Sequence, residues 1–254
     1  MHINGHSAIV TGGASGLGEA TARELARQGA KVAIVDLNAA LGKKVAADIG
    51  GIFCACDITN TESVQATMAK AEAAHGPARI LMNVAGIASA KRIVQKDGSP
   101  APLEDFTRVI TVNLIGAYNI SRFFAAACSK LAPLDDGERG VMLFTASVAA
   151  FDGQVGQQAY SASKGGLVGM TLPMARDLAQ HGIRVCTVAP GLFATPLMKQ
   201  LPEPVQASLA ASIPFPSRLG KPEEFAALAA HIVTNGHLNG EVIRLDGALR
   251  MAPR

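Results

Sequence analysis

The stretch SAIVTGGASGLG, residues 7–18, passes from a short apolar run into a turn rich in glycine. Residues 7–10 are typical of a buried strand, and a helical pattern begins near residue 17. Gly12, Gly16 and Gly18 leave the backbone of the turn uncovered by side chains just before that helix. A strand, a glycine turn and a helix in this order predict the first unit of a parallel α/β sheet.

Short apolar runs continue to alternate with longer helical patterns along the chain. Strand candidates lie at residues 7–10, 31–35, 52–55, 80–83, 141–145, 184–189 and 242–245. Helical candidates lie near residues 17–28, 39–48, 60–74, 103–130, 158–180 and 222–234. This alternation predicts an α/β fold, a doubly wound parallel sheet of about seven strands with helices on both faces. Two segments interrupt it, a polar insertion at 89–102 and a loop at 191–216.

The composition narrows the class of protein. Of 254 residues 49% are hydrophobic and 17% charged, which suits a large buried core, and a net charge of +3 argues against nucleic acid as the main partner. The apolar runs are too short or too interrupted to predict a membrane span, and the first residues show no targeting pattern. We therefore expect a soluble, intracellular protein. The four cysteines and six histidines lack metal-ligand spacing, so we expect no bound metal.

The glycine turn is suited to bind a dinucleotide, because backbone amides at a helix start can approach a pyrophosphate closely. Ser15 adds a hydroxyl donor, and Asp36 ends the second strand 18 residues beyond Gly18. A carboxylate there can hold both ribose hydroxyls and would repel a 2′-phosphate. Since Ala14 and Leu37 offer that phosphate no cation, the sequence favours NAD over NADP. The alternative is that Asp36 only caps its loop.

Asp57, at the end of the third strand, has two interpretations of similar weight. Its carboxylate could accept a hydrogen bond from the adenine amino group, or it could be the N-cap of the helix near residue 60.

Tyr160 and Lys164 lie four residues apart on a predicted helix, so they share one face. A free phenol has a pKa of about 10, and a nearby ammonium favours the phenolate that general base catalysis needs. Ser147 follows a strand at the sheet edge where α/β folds bind ligands, and can donate to a substrate oxygen. Asn113, unfavourable inside a helix, could hold a water that links Lys164 to solvent. Alternatively, Asn113 is structural, and the pair is a half-buried Tyr160 with an exposed Lys164.

Together these motifs resemble the short-chain dehydrogenase/reductase family over essentially the whole chain. The resemblance rests on TGGASGLG (11–18), Asp36, Asp57, NVAG (83–86), Asn113, Ser147, the pair Tyr160 and Lys164, and Pro190-Gly191. Val84 departs from many members, which have an asparagine there. The resemblance implies that residues 1–254 form one dinucleotide-binding and catalytic domain with a Rossmann-type sheet.

The resemblance also implies roles for the matching residues. Tyr160 would be the general acid/base, Ser147 would stabilise the substrate oxygen, and Gln157 would face the substrate with them. Lys164 would bind the nicotinamide ribose and lower the pKa of Tyr160, and Asn113 would complete a proton relay. The residues expected at the cofactor are Gly12, Ser15, Gly16, Leu17, Gly18, Asp36, Asp57, Ile58, Asn83, Val84, Ala85, Gly86, Tyr160, Lys164, Pro190, Phe193 and Thr195.

Within the family, the chain is most similar to a branch of type-2 3-hydroxyacyl-CoA dehydrogenases. The stretches TASVAAFDGQVGQQAYSASKGGLVGMTLPMARDLA, APGLFATPL, PFPSRLG and LNGEVIRLDGALRM carry this similarity, and the polar insertion fits it. It implies NAD-dependent oxidation of a short or branched 3-hydroxyacyl-CoA. The alternatives are a hydroxysteroid dehydrogenase, an acetoacetyl-CoA or acyl-carrier-protein ketoreductase, which Asp36 disfavours, and a non-catalytic NAD-binding scaffold.

The remaining expectations concern the substrate and the assembly. Apolar walls are expected from Phe151, Val155, Leu192, Leu197 and Leu201, which would suit an acyl chain or a steroid. Basic residues of the insertion would either bind CoA phosphates or belong to a solvated loop; they are Lys91, Arg92 and Lys96. By resemblance we expect a cytoplasmic homotetramer that acts on a small molecule and has no membrane or nucleic-acid partner.

Overall fold

The computed structural model describes residues 1–253, apart from the side chain of Leu197. Its seven strands are all parallel and form one sheet in the order β3-β2-β1-β4-β5-β6-β7. The strands are β1 (Ser7–Thr11), β2 (Lys31–Asp36), β3 (Ile52–Ala55), β4 (Ala78–Asn83), β5 (Gly140–Thr145), β6 (Ile183–Pro190) and β7 (Val242–Leu245). The predicted doubly wound α/β fold is thereby confirmed.

Helices cover both faces of this sheet. They are α1 (Gly16–Arg27), α2 (Ala39–Asp48), α3 (Thr61–His75), α4 (Leu103–Ile110), α5 (Ala117–Cys128), α6 (Gln158–Leu178), α7 (Pro196–Lys199), α8 (Glu203–Ala211) and α9 (Pro222–Thr234). One core lies under α1, α2 and α9, where Leu25 and Phe225 are fully buried; the other lies under α3, α5 and α6, around Phe124 and Leu167. Burial on both faces explains why the central strands are continuous apolar runs.

The strand order reverses between β1 and β4, which places the turn after β1 beside the turn after β4. Thr11 joins the two turns, because its hydroxyl oxygen accepts hydrogen bonds from the amides of Val84 (3.1 Å) and Ala85 (3.2 Å). Ligands of open α/β sheets bind at such a reversal, outside the carboxyl ends of the strands.

The long helix predicted at residues 103–130 is divided in the structure. A π-helical turn at Thr111–Gly116 separates α4 from α5. Asn113 lies in this turn, and its side chain bonds the backbone of Ile87 instead of solvent. An asparagine that serves a neighbouring segment is compatible with a local widening of the helix, and such π turns are frequent at functional sites.

This divided helix, Leu103–Cys128, is long and apolar enough by length and composition to cross a membrane. Half of its most apolar window is buried within the fold, and α5 packs against α3 and β4. Packing of this kind is what the core helix of a globular domain shows.

The segment 191–216, predicted as a loop, contains two helices, α7 and α8. Pro196 is the first residue of α7, Pro202 is the N-cap of α8 and Pro204 lies in its first turn. The prediction of a loop was therefore wrong for these residues, since a proline at a helix start has a suitable φ and no amide to leave unpaired.

Candidate active site

A cleft of about 810 Å³ lies along the carboxyl edge of the sheet, across the reversal point. Nearly all the site residues predicted from the sequence line it. They are Gly12, Ser15, Gly16, Leu17, Gly18, Asp36, Asp57, Ile58, Val84, Ala85, Gly86, Ser147, Gln157, Tyr160, Lys164, Pro190, Phe193 and Thr195. Asn83 and Asn113 do not line it.

The glycine turn forms one end of the cleft, where backbone lies directly against backbone. A Cβ atom at Gly18 would lie 2.0 Å from the carbonyl oxygen of Gly12, so no larger residue fits. Gly12 has φ +66°, and a Cβ there would lie 2.8 Å from the backbone of Ala85. Ser15, the N-cap residue of α1, makes no capping hydrogen bond with its exposed hydroxyl. The turn therefore leaves amides, a hydroxyl and a helix N-terminus for an anionic group.

Asp36 is held at the end of β2 by two backbone amides. Its carboxylate accepts hydrogen bonds from Ala14 (3.1 Å) and Asn38 (2.9 Å), one on each oxygen. Asp36 thus does cap its loop, and the same bonds fix a carboxylate that lines the cleft beside the glycine turn. Each oxygen keeps a second lone pair for a ligand hydroxyl. Leu37 is 73% exposed next to it and supplies no cation for a phosphate.

The N-cap of α3 is Asn60, whose side chain accepts from the amide of Ser63 at 2.7 Å. The alternative that Asp57 caps this helix is therefore wrong. The carboxylate of Asp57 instead accepts hydrogen bonds from the amide and the hydroxyl of Thr59, at 2.9 and 2.7 Å. Asp57 also lines the cleft. The residue types did not decide this in advance, because Asp and Asn are both favoured N-caps and the two residues lie only three positions apart.

The reacting end of the cleft is built on the first turns of α6 and the end of β5. Lys164 is buried, and its Nζ donates a 2.6 Å hydrogen bond to the carbonyl oxygen of Thr145. That ammonium lies 5.7 Å from the centroid of the Tyr160 ring, one helical turn away. Ser147 has an extended backbone and caps the turn Val148–Ala150, its hydroxyl oxygen accepting from the amide of Ala149 at 3.1 Å.

Burial governs the titration of both catalytic candidates on α6. It lowers the pKa of Lys164 to about 8, and it raises the pKa of Tyr160 above its ordinary value. A hydrogen bond with Ser147 lowers the pKa of the phenol, but by less than burial raises it. Burial is therefore the main influence on the pKa of Tyr160 in the protein, because it removes water from the phenolate. A lowering of this pKa by Lys164 stays a prediction.

Asn113 is fully buried behind the cleft and uses its whole amide. Its Oδ1 accepts from the amide of Ile87 (2.8 Å), and its Nδ2 donates to the carbonyl of Ile87 (2.9 Å) and the hydroxyl of Ser163 (3.0 Å). A Cβ at Gly86 would lie 3.1 Å from that Oδ1 and 3.4 Å from the Nζ of Lys164. Asn113 and Lys164 thus flank Gly86, and a proton relay between them stays a prediction.

Asn83 is buried, and its Nδ2 donates to the hydroxyl of Ser121 at 3.1 Å. It fixes the end of β4 on α5 and does not present its side chain to the cofactor side of the cleft, contrary to expectation. A residue that precedes a glycine turn on a buried strand can point inward as easily as outward, because side chains alternate between faces.

The substrate walls differ from those expected. Of the five residues, only Leu192 lines the cleft, and the side chain of Leu197 lies outside the described part of the chain. Phe151 lies under the guanidinium of Arg244, 5.1 Å from its centre, while Val155 and Leu201 are half exposed elsewhere. The apolar lining near the reacting end instead includes Val148, Ala149, Met198 and Met251. Met251 is 91 residues from Tyr160 in the sequence, so no local pattern indicated it.

The polar insertion begins at the cleft, which Ser89 and Ala90 line, and then forms a short hairpin closed by the bridge between Val94 and Pro100. Lys91 forms an ion pair with Asp105, whereas Arg92 and Lys96 are exposed.

Comparison with known proteins agrees with this geometry. Residues 6–206 match the family model of the short chain dehydrogenases. The chain is 52% identical over 254 residues to the human 3-hydroxyacyl-CoA dehydrogenase type-2, covering 99% of this chain and 97% of that protein.

Two solved structures share the fold closely. The 3-hydroxyacyl-CoA dehydrogenase type-2 of Mycobacterium avium is 48% identical, with a TM-score of 0.95 and 98% of each chain covered. The 3-ketoacyl-(acyl-carrier-protein) reductase of Brucella melitensis, solved with NADH, is 30% identical with a TM-score of 0.87, covering 98% of this chain and all of that one. Motifs, geometry and comparisons agree: this chain belongs to the short-chain dehydrogenase family and is an oxidoreductase.

Proposed function

We propose that this enzyme interconverts a short or branched 3-hydroxyacyl-CoA and the corresponding 3-oxoacyl-CoA, with NAD as the hydride acceptor. The observation that carries the proposal is the placement of Ser147, Tyr160 and Lys164 in one cleft with the glycine turn and Asp36. Relatives named 3-hydroxyacyl-CoA dehydrogenase type-2 match this chain over almost its full length, which supports the acyl-CoA substrate.

The chain's own residues fit a dinucleotide. The amides of the glycine turn would hold the pyrophosphate, and Asp36 would accept both hydroxyls of the adenine ribose. Asp57 and Ile58 line the same cleft and would contact the adenine. Lys164, which also lines it, would donate to the nicotinamide ribose. When bound, NAD supplies the acceptor for a hydride from the carbinol carbon.

During oxidation, the phenolate of Tyr160 accepts the proton of the substrate hydroxyl. The hydroxyl of Ser147 donates to the same substrate oxygen and favours the charge that develops on it. Lys164, held by Thr145, places a buried ammonium 5.7 Å from the Tyr160 ring and favours the phenolate over the phenol. In the reverse direction the phenol of Tyr160 returns the proton, and its raised pKa keeps it protonated at neutral pH.

The CoA part of the substrate would extend along the insertion. The structure reduces the number of basic residues available there, because Lys91 already pairs with Asp105. Arg92 and Lys96 are exposed on the hairpin that starts at the cleft, and they are the residues we assign to CoA phosphates.

A panel of substrates tests this function. NAD-linked rates are measured with 3-hydroxybutyryl-CoA, 2-methyl-3-hydroxybutyryl-CoA, a 17-hydroxysteroid and simple secondary alcohols. The expected result is the highest kcat/KM with one of the two CoA esters. A steroid that exceeds both esters would replace the proposal with a hydroxysteroid dehydrogenase, for which the apolar lining by Val148, Leu192, Met198 and Met251 also has room.

Association and location are part of the proposal. Ile115 and Tyr118, on the π turn and α5, and Leu172 on α6 are about half exposed, and association of copies into the tetramer we propose would cover such side chains. Light scattering after size exclusion tests this.

All four cysteines are buried and free, which supports a reducing compartment such as the cytoplasm. The proposal includes neither a membrane nor a nucleic-acid partner.

A further inference from the structure

The C-terminal tail, residues 246–253, lies against the segment 151–157 that leads into the helix of Tyr160. Gln154 donates from its side chain to the carbonyl of Ala252 at 2.9 Å. The amide of Val155 donates to the carbonyl of Pro253 at 3.0 Å. The residues joined by each bond are 98 positions apart in sequence, and each bond ties the tail to the reacting side of the cleft.

Arg244, on β7, joins the same two segments through its guanidinium. It contacts Asp152 at 2.5 Å and Asp246 at 2.7 Å, and it donates to the carbonyl of Leu249 at 3.0 Å. Its side chain is 21% exposed, and those of Asp152 and Asp246 are 19% and 7% exposed. Because these charges are only partly solvated, their geometry matters more than that of a surface ion pair. We call Arg244, Asp152 and Asp246 the carboxylate clasp.

The tail has a backbone conformation that needs outside support. Ala248 has φ +67°, a region that residues with a side chain rarely adopt. Its amide is held by the second carboxylate oxygen of Asp246 at 3.0 Å. Strained residues persist when their surroundings impose them, and they concentrate where a protein shapes a site. The clasp and this turn together fix the direction in which the tail leaves β7.

The consequence lies three residues further on, where Met251 is half buried and lines the cleft. It adjoins the segment whose Gln154 and Gln157 line the same cleft, with the amide of Gln154 bonded to the side chain of Gln157 at 3.0 Å. Met251 is thus an apolar residue of the cleft that Gln157, the residue expected to meet the substrate, also lines. It is carried by a tail that has no strand or helix of its own.

We propose that Met251 limits the size of the acyl group accepted, and that Arg244 is a positioning residue that holds Met251 in place through the carboxylate clasp. The inference rests on the proposed function for its substrate, a 3-hydroxyacyl-CoA. It assigns to the C-terminal tail a determinant of chain-length specificity.

The first test changes the wall. Met251→Ala and Met251→Phe are assayed with 3-hydroxybutyryl-CoA and 3-hydroxyhexanoyl-CoA, and the ratio of the two kcat/KM values is compared with that of the wild type. Met251→Ala should raise the ratio in favour of the longer chain by about tenfold, and Met251→Phe should lower it, since a methylene in an apolar pocket changes specificity by about 10-fold or more. An unchanged ratio in both active variants overturns the inference.

The second test changes the clasp. Arg244→Lys keeps the charge but loses the planar contacts to two carboxylates. It should raise the KM for the acyl-CoA severalfold, leave the Kd for NADH unchanged, and speed amide hydrogen exchange in residues 152–157 and 248–252. The matched control is Arg23→Lys, since Arg23 also joins two carboxylates, Glu19 and Asp48, at a site away from the cleft. Equal exchange in both variants overturns the role of Arg244.

These tests distinguish a failure of the inference about Met251 and Arg244 from a failure of the proposed function. If the wild type does not oxidise CoA esters, the proposed function fails, and the same ratio is measured with two secondary alcohols of different chain length. Hydrogen exchange does not depend on any substrate. A ratio that does not respond to Met251, with exchange that does not respond to Arg244, rejects the inference whichever substrate is used.

Discussion

Lys164 donates a 2.6 Å hydrogen bond to the carbonyl oxygen of Thr145, at the end of the strand that leads to Ser147. One contact therefore links the ammonium of α6 to the position of the residue that stabilises the substrate oxygen. Burial makes this contact costly, since it lowers the pKa of Lys164 to about 8 from 10.5. The cost implies a dependence of stability on pH.

We predict that the contribution of Lys164 to stability increases as the pH rises from about 8 to about 10.5. The folded pKa lies below the unfolded pKa, so in this window the unfolded chain binds more protons and deprotonation favours the folded state. Urea unfolding of the wild type and of Lys164→Met is compared at pH 7, 8, 9 and 10. Above pH 8, the free energy of unfolding of the wild type should increase relative to that of Lys164→Met. A difference that is constant with pH contradicts the buried ammonium.

Replacement of Tyr160 by phenylalanine should reduce kcat by about 10²–10⁴-fold, because it removes the proton acceptor while keeping the ring. NADH affinity should change little, since the glycine turn and Asp36 are untouched. Binding is followed by the fluorescence of NADH, in a chain that contains no tryptophan. The control is Tyr118→Phe, the other tyrosine, which is half exposed on α5. Wild-type turnover in Tyr160→Phe would remove the mechanism.

Oxidation should accelerate with rising pH, and Ser147→Ala should move that rise to higher pH. The raised pKa of Tyr160 means that the phenolate is scarce at neutral pH, and the hydrogen bond with Ser147 lowers this pKa. Without Ser147, the pKa rises further and the profile shifts in the alkaline direction. We would measure kcat/KM between pH 6 and pH 10.5 and compare the pH at which it rises. This comparison does not depend on how much absolute rate the variant loses. A shift towards acid pH contradicts this assignment.

Cofactor preference should follow the carboxylate of Asp36. Asp36→Ala combined with Leu37→Arg should shift the ratio of kcat/KM for NAD and NADP towards NADP by about 100-fold, because a like-charge contact of several kcal/mol is replaced by an attraction. Asp36 also accepts from Ala14 and Asn38, so the single change Leu37→Arg serves as the control that leaves the loop intact. Unchanged selectivity in the double variant would place the ribose elsewhere.

The sequence predicts the sheet well because the central strands are buried on both faces and therefore read as unbroken apolar runs. It also predicts the cleft residues that belong to local motifs, such as Gly18 and Tyr160. Contacts between distant segments leave no such trace. Thr11, which joins two turns 73 residues apart, and Met251 were missed for this reason.

Other differences have specific causes. The segment 191–216 contains α7 and α8, and its prolines lie at the starts of these helices, where proline is well tolerated. The pKa of Tyr160 depends on how deeply the phenol is buried, and burial is a property of the packed site. Sequence spacing places Lys164 on the same helix face but carries no information on hydration.

CoA recognition should depend on Arg92 and Lys96 and not on Lys91. The first two are exposed on the hairpin that begins at the cleft, while Lys91 is paired with Asp105. Arg92→Ala with Lys96→Ala should raise the KM for a 3-hydroxyacyl-CoA about 10-fold, as exposed charge contacts contribute up to about 1 kcal/mol each.

The KM for a simple secondary alcohol should stay the same in that double variant, since an alcohol has no phosphates to bind. Lys43→Ala with Lys44→Ala, two exposed lysines of α2, removes the same net charge and should change neither KM. Initial rates at increasing ionic strength complete the test, because screening should raise the KM for the CoA ester in the wild type and much less in the double variant. Equal effects of Arg92 and Lys96 on both substrate classes would show that the hairpin acts on the fold of the cleft and not on CoA.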